Sequence, residues 1–480
     1  MEREVDVVVL GGGPVGQNVA DRVRAGGLDV VLVEHELVGG ECSYWACVPS
    51  KVLLRSAAAL RAAQRVPGAA EAVGGALDVA AVLRRRDYWV SDWHDDGAVG
   101  WLDSVGIRLE RGRGRLDGPR RVIVTRPDGT ELTLVARHAV VVSTGSDPIL
   151  PPIEGLAEAK PWTSRDATGV KHVPARLAII GGGVVATEMA TAYAGFGTEV
   201  TVLARSGLLG GMEAFAGEAV AEGLRGLGAS VRLGVEATKV ERNASGEVTI
   251  SLDDGTSVTA DEVLVATGRK PRTVGIGLES VGLEAGAWID VDDTLLVTGA
   301  GGEGEWLYAT GDANHRALLT HQGKYQGRAA GDVIVARAEG RPVDASPWGV
   351  HAATADHSAV PQVVFAEPEC VSVGLTAAAA ERAGLQVRLA EVGMQSASGA
   401  GILAEDYEGR ARLVVDAERG VVVGATFVGQ DVAELLQSAT IAVVGEVPVD
   451  RLWHAVPAFP TMSEVWLRLL EDLGRPEVAA

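Results

Sequence analysis

The chain has 480 residues, of which 47% are apolar, and it carries a formal charge of -21. This length predicts about three domains, and the apolar content is high enough to give each domain a core. The negative charge argues against nucleic acid or an anionic membrane as a partner, because both bind clustered Lys and Arg. The three cysteines are too few for a secreted disulfide framework.

Targeting and membrane-spanning segments are not predicted. The N-terminal residues "MEREVDVVVLGGG" lack the basic start and the longer apolar core of a signal peptide. No apolar run along the chain approaches the roughly 18 residues that span a bilayer. We therefore expect a cytoplasmic protein.

The first predicted elements are a strand, a glycine turn, a helix and a second strand in "EVDVVVLGGGPVGQNVADRVRAGGLDVVLVEH". Gly11, Gly13 and Gly16 fit the pattern G-x-G-x-x-G, in which glycine allows the backbone to approach a pyrophosphate at the helix N-terminus. Glu34 lies 23 residues after Gly11, where a carboxylate can accept both ribose hydroxyls of an adenosine. This unit therefore suits an unphosphorylated adenosine, such as that of FAD.

The next segment, "GGECSYWACVPSK", contains Cys42 and Cys47. A structural disulfide, a metal clip and a redox pair are the three alternatives. A zinc site would need two further ligands, and no second Cys or His pair has ligand spacing. A reducing cytoplasm disfavours a structural disulfide, whereas a nearby helix N-terminus would lower a thiol pKa and favour redox chemistry. No metal site is predicted.

A second strand-turn-helix-strand unit follows in "PARLAIIGGGVVATEMATAYAGFGTEVTVLAR". Gly181, Gly183 and Ala186 fit G-x-G-x-x-A, and two such units make chance glycine turns a poor explanation. The position of the ribose-binding acid is taken by Ala204, followed by Arg205. A 2'-phosphate would not be repelled there, and Arg205 could bind it, so this unit suits NADPH better than NADH. The alternative is that Arg205 is only a solvated surface residue.

Two nucleotide-binding units on either side of a cysteine pair resemble the flavoprotein disulfide reductases, the family of dihydrolipoamide dehydrogenase, glutathione reductase and mercuric reductase. The resemblance covers essentially the whole chain. The family's redox motif GG-x-C-x-x-x-x-C-x-P-S-K is matched by Gly39, Gly40, Cys42, Cys47, Pro49, Ser50 and Lys51. Other family segments are matched by "VVVSTGSDP" with Gly145, "LVATGRKP" with Gly268 and Arg269, "LYATGDANHRALLTHQGKYQGR" with Asp312, and "VPQVVFAEPECVSVGLT".

The resemblance implies an α/β fold with two Rossmann-like dinucleotide-binding domains and a C-terminal α+β dimerisation domain. It places the FAD domain at residues 1–150 and 269–345, the NAD(P)H domain at 151–268 and the interface domain at 346–480. The segment "EGRPVDASPWG" is typical of a linker. A homodimer is expected, because in the family the C-terminal segment reaches the partner's redox pair.

The resemblance also implies roles for single residues. Cys47 would lie against the flavin as a charge-transfer thiolate, and Cys42 would be the interchange thiol that attacks the substrate. Lys51 would lie near the flavin N5, paired with Glu188 from the nicotinamide-domain helix; a cation there would stabilise negative charge on the reduced flavin. Asp312 would hold the flavin ribityl chain.

One departure from the family lies in "HAVPAFPTMSEVW". The family motif is His-Pro-Thr-x-x-Glu; Pro460, Thr461 and Glu464 align with it, but Phe459 stands in place of the histidine. That histidine deprotonates the interchange thiol and protonates the departing thiolate, and Phe has no titratable group for either step. His454 is the nearest histidine and matches nothing in the motif, so we interpret it as structural or exposed.

A second departure lies in the redox loop, where Tyr44, Trp45 and Ala46 replace smaller residues and a glycine. The active site is therefore expected to be more aromatic and less able to move protons. With Glu464 lacking its usual partner, it would suit an aromatic or cationic ligand through stacking and cation–π attraction.

Together these features predict an NADPH-dependent flavoprotein that passes electrons through FAD and the cysteine pair to a small disulfide. The substrate would release a good leaving group, since a low leaving-group pKa speeds exchange; a thione-type disulfide such as oxidised ergothioneine fits. A first alternative is a quinone reductase working directly from the flavin, and a second is dihydrolipoamide dehydrogenase, disfavoured by the missing histidine. An idle redox-sensing flavoprotein is a further alternative. Mercuric reductase would need additional C-terminal cysteines.

Overall fold

The structure is a computed structural model that describes residues 2–475. Its strands, in chain order, are β1 (Glu2–Leu10), β2 (Val30–Glu34), β3 (Arg108–Arg111), β4 (Arg113–Leu116), β5 (Arg121–Thr125), β6 (Glu131–Val142), β7 (Ser146–Pro148), β8 (Arg176–Ile180), β9 (Glu199–Ala204), β10 (Ser230–Leu233), β11 (Ala237–Arg242), β12 (Val248–Leu252), β13 (Ser257–Ala260), β14 (Glu262–Val265), β15 (Arg269–Pro271), β16 (Leu307–Ala309), β17 (Gln362–Val364), β18 (Glu369–Gly374), β19 (Val387–Gly393), β20 (Arg410–Asp416) and β21 (Val421–Gly429).

The α-helices are α1 (Pro14–Ala25), α2 (Gly40–Tyr44), α3 (Cys47–Gln64), α4 (Val79–Trp89), α5 (Asp96–Val105), α6 (Ser164–Gly169), α7 (Val184–Gly195), α8 (Ala214–Gly226), α9 (Thr320–Ala338), α10 (Ala355–Ser358), α11 (Ala377–Arg382), α12 (Ser398–Leu403), α13 (Leu435–Val444), α14 (Val449–Leu452) and α15 (Glu464–Leu473). Short 3-10 turns span Ala70–Ala72, Ser91–Trp93, Leu278–Val281, Gly311–Asn314 and Met394–Ser396.

The described residues divide into two compact units. The first unit comprises residues up to 49, 87–148 and 269–357, and the second comprises 50–86, 149–268 and 358 onward. These two units do not correspond one to one to the domains expected from the sequence, so the expected domain boundaries stay a prediction.

The first unit is built on a sheet with the order β3-β2-β1-β6-β5-β4, to which β16 adds beside β6. The strands β3, β2, β1, β6 and β16 run parallel. The apolar residues of β1 are fully buried, as expected for a parallel strand covered on both faces. Helix α1 packs its buried residues Val19, Ala20 and Val23 into the same core. These elements form the β1-α1-β2 unit of a dinucleotide-binding fold.

The second unit contains a parallel sheet with the order β10-β9-β8-β14 and a separate antiparallel sheet, β11-β12-β13. Helix α7 connects β8 to β9, and its central residues from Ala186 to Tyr193 are buried. This connection repeats the arrangement of the first unit. The antiparallel sheet covers the other face through a core that includes Val240, Val248 and Ile250.

The C-terminal part of the second unit is an antiparallel sheet with the order β17-β18-β21-β20-β19. Helix α15 buries Val465, Leu469 and Leu470. Cys370 lies fully buried in β18, and burial raises the pKa of its thiol to about 12, which confirms the prediction that it is a small buried hydrophobe. The predicted α/β class, with two Rossmann-like parts and a C-terminal α+β part, is confirmed.

Within residues 2–475, none of the helices is both long enough and apolar enough to cross a membrane.

Candidate active site

The first glycine loop lies between β1 and α1. Gly11 has a φ of +108°, and a Cβ on it would lie 2.3 Å from the Ser143 carbonyl oxygen, so no other residue fits there without displacing backbone. Gly16 lies against the Gly11 carbonyl, which leaves equally little room for a side chain. Gly13 precedes α1 without a side-chain cap, and the space beside it is open. The loop thus has room for a phosphate at the N-terminus of α1.

Glu34 ends β2 with its side chain 8% exposed. Its Oε2 accepts a hydrogen bond from the Gly12 N–H at 2.7 Å, and its Oε1 accepts one from the Glu36 N–H at 2.7 Å. Burial raises the pKa of Glu34, but hydrogen bonds from His35, Glu36 and Gly12 outweigh it and hold the pKa below its ordinary value. An ionised carboxylate at this strand end fits an adenosine ribose.

Asp312 lies in the turn Gly311–Asn314, and its Oδ2 accepts a 2.5 Å hydrogen bond from Ser146 Oγ. Arg269 Nε donates to the same Ser146 Oγ at 2.6 Å and lies 3.8 Å from the Asp312 carboxylate. Gly145 precedes Ser146 with a φ of +76°. These residues lie near the carboxyl ends of β6 and β16, the edge at which dinucleotides bind in such sheets. With the glycine loop and Glu34, they fit the flavin dinucleotide predicted from the sequence.

The two cysteines belong to the first unit and lie in two successive helices. Cys42 is in α2, which begins at Gly40, and Cys47 is the first residue of α3. Both cysteines are free thiols, and both are partly exposed. The hydrogen bond to Cys47 and burial raise the pKa of the Cys42 thiol. The positive end of the α3 dipole favours negative charge at Cys47.

A residue that the sequence reasoning did not single out contacts this pair. Thr320 begins α9, and its Oγ1 lies 3.3 Å from Cys47 Sγ. The hydroxyl can donate to a thiolate at this distance, which would stabilise the charge. Thr320 belongs to the matched segment "LYATGDANHRALLTHQGKYQGR", but it is 273 residues from Cys47, so only the tertiary structure brings the two together.

Two aromatic residues, Tyr44 and Trp93, make hydrogen bonds that hold the segment between Cys42 and Cys47 in place. Tyr44 is 6% exposed and its hydroxyl donates to the Val38 carbonyl at 3.1 Å. Trp93 Nε1 donates to the Tyr44 carbonyl at 3.2 Å and lies at the end of the turn Ser91–Trp93, whose residues all have positive φ. The expectation that Tyr44 could stack on a ligand is therefore wrong, because its ring is buried and its hydroxyl is engaged. Trp45 is partly exposed, so stacking on it remains a prediction.

The second glycine loop lies in the second unit, between β8 and α7. Gly181 has a φ of +138°, and a Cβ on it would lie 2.3 Å from the Ala266 carbonyl oxygen. Gly183 precedes α7 without a side-chain cap and has open space beside it. Gly268 follows β14 with a φ of +144° and accepts a backbone hydrogen bond from Ile149 N–H. The loop repeats the phosphate-binding geometry of the first.

Arg205 follows the last residue of β9, Ala204, and is 82% exposed. Its Nε lies 3.6 Å from Glu236 Oε1, and Glu236 is itself 53% exposed. An exposed ion pair of this kind contributes little to stability, so the guanidinium can turn toward a phosphate at small cost. No acidic side chain occupies the end of β9, as predicted from the sequence.

Lys51 and Glu188 form an ion pair in the second unit. Lys51 Nζ donates to Glu188 Oε2 at 2.6 Å, with side-chain exposures of 35% and 4%. Glu188 Oε1 accepts a hydrogen bond from the Phe365 backbone N–H at 3.1 Å. Lys51 Nζ also lies 5.2 Å from the centre of the Phe365 ring. The predicted pair is thus present, and Phe365 is a third member that sequence spacing did not indicate.

The C-terminal segment presents Phe459 with 76% of its surface exposed. Glu464 begins α15, is 6% exposed, and its Oε2 has no hydrogen-bond partner among residues 2–475. His454 is exposed, in agreement with its interpretation as structural or exposed. Phe459, at the position for which the family resemblance implies a histidine, therefore presents an aromatic ring on the surface.

The described residues contain no group of three or more His, Cys, Asp or Glu side chains that could hold a metal ion. The candidate site among these residues thus consists of two dinucleotide loops, a thiol pair and a Lys-Glu ion pair.

Comparison with known proteins agrees with this arrangement. The chain matches the pyridine nucleotide-disulphide oxidoreductase model over residues 5–338 and the dimerisation domain of the same family over residues 360–469. It is 31% identical to mercuric reductase of Acidithiobacillus ferrooxidans over 96% of this chain and 81% of the relative. It is 32% identical to dihydrolipoyl dehydrogenase of Chlorobaculum tepidum over 96% of this chain and 95% of the relative.

A solved structure shows the same fold. LpdA of Mycobacterium tuberculosis superimposes with a TM-score of 0.83 at 24% identity, covering 98% of this chain and 100% of that one. The family match implies a flavin and a nicotinamide coenzyme, and the dimerisation domain supports a homodimer. Two glycine loops, a thiol pair and a matched dimerisation domain lead to one conclusion: the chain is a flavoprotein disulfide oxidoreductase and belongs to the pyridine nucleotide-disulphide oxidoreductase family.

Proposed function

We propose that this enzyme uses NADPH, FAD and the Cys42–Cys47 pair to reduce a small disulfide that releases a good leaving group. A thione-type disulfide such as oxidised ergothioneine is the proposed example. The observation that carries the proposal is the exposed Phe459 in place of the family's proton-transferring histidine. Relatives with two different substrates have nearly equal identity to this chain, so identity alone does not choose the substrate.

The proposed coenzymes follow from the two dinucleotide loops. FAD is proposed for the first because the buried Glu34 carboxylate, whose pKa is held below its ordinary value, ends β2 where it can accept from ribose hydroxyls. NADPH is proposed for the second because Arg205 stands where an acid would bind a ribose. Bound FAD would accept a hydride from NADPH and pass two electrons to the cysteine pair. Lys51, held by Glu188, would place a positive charge beside it.

The thiols would carry out two exchange steps. Cys42, as a thiolate, attacks one substrate sulfur; the substrate S–S bond breaks, and one half leaves with the bonding electron pair. Cys47 then attacks Cys42 Sγ, releases the second half and closes the Cys42–Cys47 disulfide. Two electrons and one proton from NADPH, with one proton from solvent, restore the dithiol. The 3.3 Å contact between Cys47 Sγ and Thr320 Oγ1 supports a charge-bearing role for Cys47, whereas Cys42, whose pKa is raised, must first lose its proton to solvent in order to attack.

The leaving group has to depart without an acid. An alkyl thiolate of high pKa leaves slowly in thiol–disulfide exchange, and Phe459 has no proton to donate. A thione delocalises the charge into its ring and needs no proton on sulfur. The unpartnered Glu464 carboxylate and the partly exposed Trp45 would favour an aromatic, cationic substrate. Mycothiol disulfide, glutathione disulfide and lipoamide, all alkyl disulfides, fit less well.

The experiment compares kcat/KM across disulfides graded by leaving-group pKa, in the wild type, in Phe459→His and in Phe459→Leu. The wild type and Phe459→Leu should lose activity steeply as that pKa rises, and Phe459→His should lose it less. Good wild-type activity on glutathione disulfide or lipoamide would refute the proposal. Quinone reduction that survives Cys42→Ser while every disulfide fails would support the quinone alternative.

A further inference from the structure

A buried carboxylate in the first unit has no role in the chemistry described so far. Asp356 lies in α10, and its side chain is fully buried. Its Oδ1 accepts a hydrogen bond from Gln322 Nε2 and its Oδ2 accepts one from Gln326 Nε2, both at 2.9 Å. Arg316 Nη1 lies 3.8 Å from the same carboxylate. A carboxylate at this depth persists only when donors surround it, and here two amides of one helix supply them.

The two glutamines lie one turn apart on α9 but differ in what they contact next. Gln326 is fully buried, and its Oε1 accepts hydrogen bonds from the Gly311 N–H at 2.7 Å and from Asn314 Nδ2 at 2.9 Å. Because its amide nitrogen donates to Asp356, the amide cannot rotate without breaking all three bonds. Among the described residues, Gln322 makes no hydrogen bond to the turn Gly311–Asn314.

That turn carries Asp312, the residue predicted to hold the flavin ribityl chain. Its first residue, Gly311, has a φ of +68°, and its last, Asn314, is 7% exposed and also donates to the Ala309 carbonyl at 3.1 Å. The same helix that carries Gln326 begins at Thr320, beside Cys47. Asp356 is therefore connected through one buried amide to the flavin-facing turn and through one helix to the thiol pair.

We propose that Asp356 and Gln326 are positioning residues that hold the turn Gly311–Asn314, and with it Asp312, in place against the flavin. The proposal rests on the flavin assignment of Asp312 and is independent of the disulfide substrate. A buried hydrogen-bond network of this kind fixes one geometry, and loss of its central member leaves several buried polar groups unpaired. Gln326 is the central member, because it alone joins the carboxylate to the turn.

The test compares Gln326→Met with Gln322→Met in the holoenzyme. Each variant removes one hydrogen bond to Asp356 at similar depth, but only Gln326→Met also frees the Gly311 N–H and the Asn314 amide. Gln326→Met should weaken FAD retention about tenfold, measured as flavin fluorescence released on serial dilution, and should shift the absorption spectrum of the bound flavin. Gln322→Met should retain FAD within about twofold of the wild type and should lose less thermal stability than Gln326→Met, because it breaks one hydrogen bond rather than three.

Three further variants make the outcome unambiguous. Asp356→Asn should keep FAD nearly as well as the wild type, because the Asn oxygen can accept from Gln326 while Gln322 turns its own oxygen toward the new amide. If Gln326→Met does not fold, Asn314→Ser should show the same shift in smaller form. Equal FAD loss in the two glutamine variants would overturn the proposal. Asp312→Ala separates the reasons for failure: normal FAD retention there would show that the flavin assignment is wrong.

Discussion

Replacement of Lys51 by Met removes the cation that Glu188 contacts at 2.6 Å, while Met retains the aliphatic part of the side chain. Glu188 would keep the Phe365 backbone N–H as its donor, at 3.1 Å, and would remain 96% buried without a cationic partner. Removing one partner of a buried ion pair costs about 3–5 kcal/mol. Because Lys51 is 35% exposed, water screens part of the interaction, and we expect a loss of about 2–3 kcal/mol in the free energy of unfolding.

The double variant Lys51→Met, Glu188→Leu separates stability from redox function. Apolar residues that replace a whole buried pair are often neutral in stability, so the double variant should return to within about 1 kcal/mol of the wild type. It should not recover the rate of flavin reduction by NADPH, because the cation that we propose to lie beside the flavin is still missing.

The assay is urea unfolding of the holoenzyme, combined with stopped-flow reduction of the flavin. Arg61→Met is the matched control, since Arg61 pairs with Glu367 at 2.8 Å in the same unit with side-chain exposures of 21% and 29%. It should lose about 1 kcal/mol and leave flavin reduction unchanged. If the double variant is less stable than Lys51→Met alone, or if flavin reduction recovers in it, the reasoning is wrong.

Three further predictions concern the thiols, the coenzyme and a distant carboxyl. Cys47→Ser should abolish the long-wavelength absorption of the two-electron-reduced enzyme, whereas Cys42→Ser should leave or enhance it; survival of the band in Cys47→Ser would mean that the roles are exchanged. Arg205→Ala should raise KM for NADPH about 10- to 100-fold and leave KM for NADH unchanged, and equal wild-type efficiency with both coenzymes would contradict this. Burial and the charge of Asp431 raise the pKa of Glu369 to about 7. Because the folded protein binds this proton more tightly than the unfolded chain, the contribution of Glu369 to the free energy of unfolding is complete at low pH. It is lost as pH rises from about 4.5 through about 7, by at most about 3 kcal/mol. Glu369→Gln should therefore raise the urea midpoint more at pH 8 than at pH 5, and an equal effect at both pH values would count against the raised pKa.

The parallel sheets and their glycine loops could be predicted from the sequence because their signals are local. A run such as Val7–Val8–Val9 indicates a buried strand, and the glycine spacing after it indicates a tight turn into a helix. In the structure, Gly11 and Gly181 occupy backbone conformations that only glycine adopts easily. At these positions the backbone conformation demands a particular residue type, so the residue type predicts the conformation.

The supports of the site could not be predicted, because they depend on tertiary contacts of single polar groups. The Phe365 N–H that bonds to Glu188 is a backbone donor 177 residues away, and a backbone group has no sequence signature. The relay from Asp356 through Gln326 to Gly311 likewise uses an ordinary acid and an ordinary amide. Tyr44 shows the opposite error: an aromatic residue between two cysteines suggested a ligand contact, but its ring fills the core behind the loop.

Two buried glutamates in the second unit differ in whether both of their carboxylate oxygens have hydrogen-bond donors within one chain. Glu188 has a donor at each oxygen within the unit, so its environment is complete in a single chain. Glu464 is almost equally buried, but its Oε2 has no donor among the described residues, and an unsatisfied buried acceptor of this kind costs about 1–3 kcal/mol. Phe459 cannot supply the missing donor, so it has to come from water, from the second subunit or from the substrate. The proposed thione-type substrate, with a ring N–H of its own, would satisfy the carboxylate and would also leave without the proton that Phe459 cannot donate.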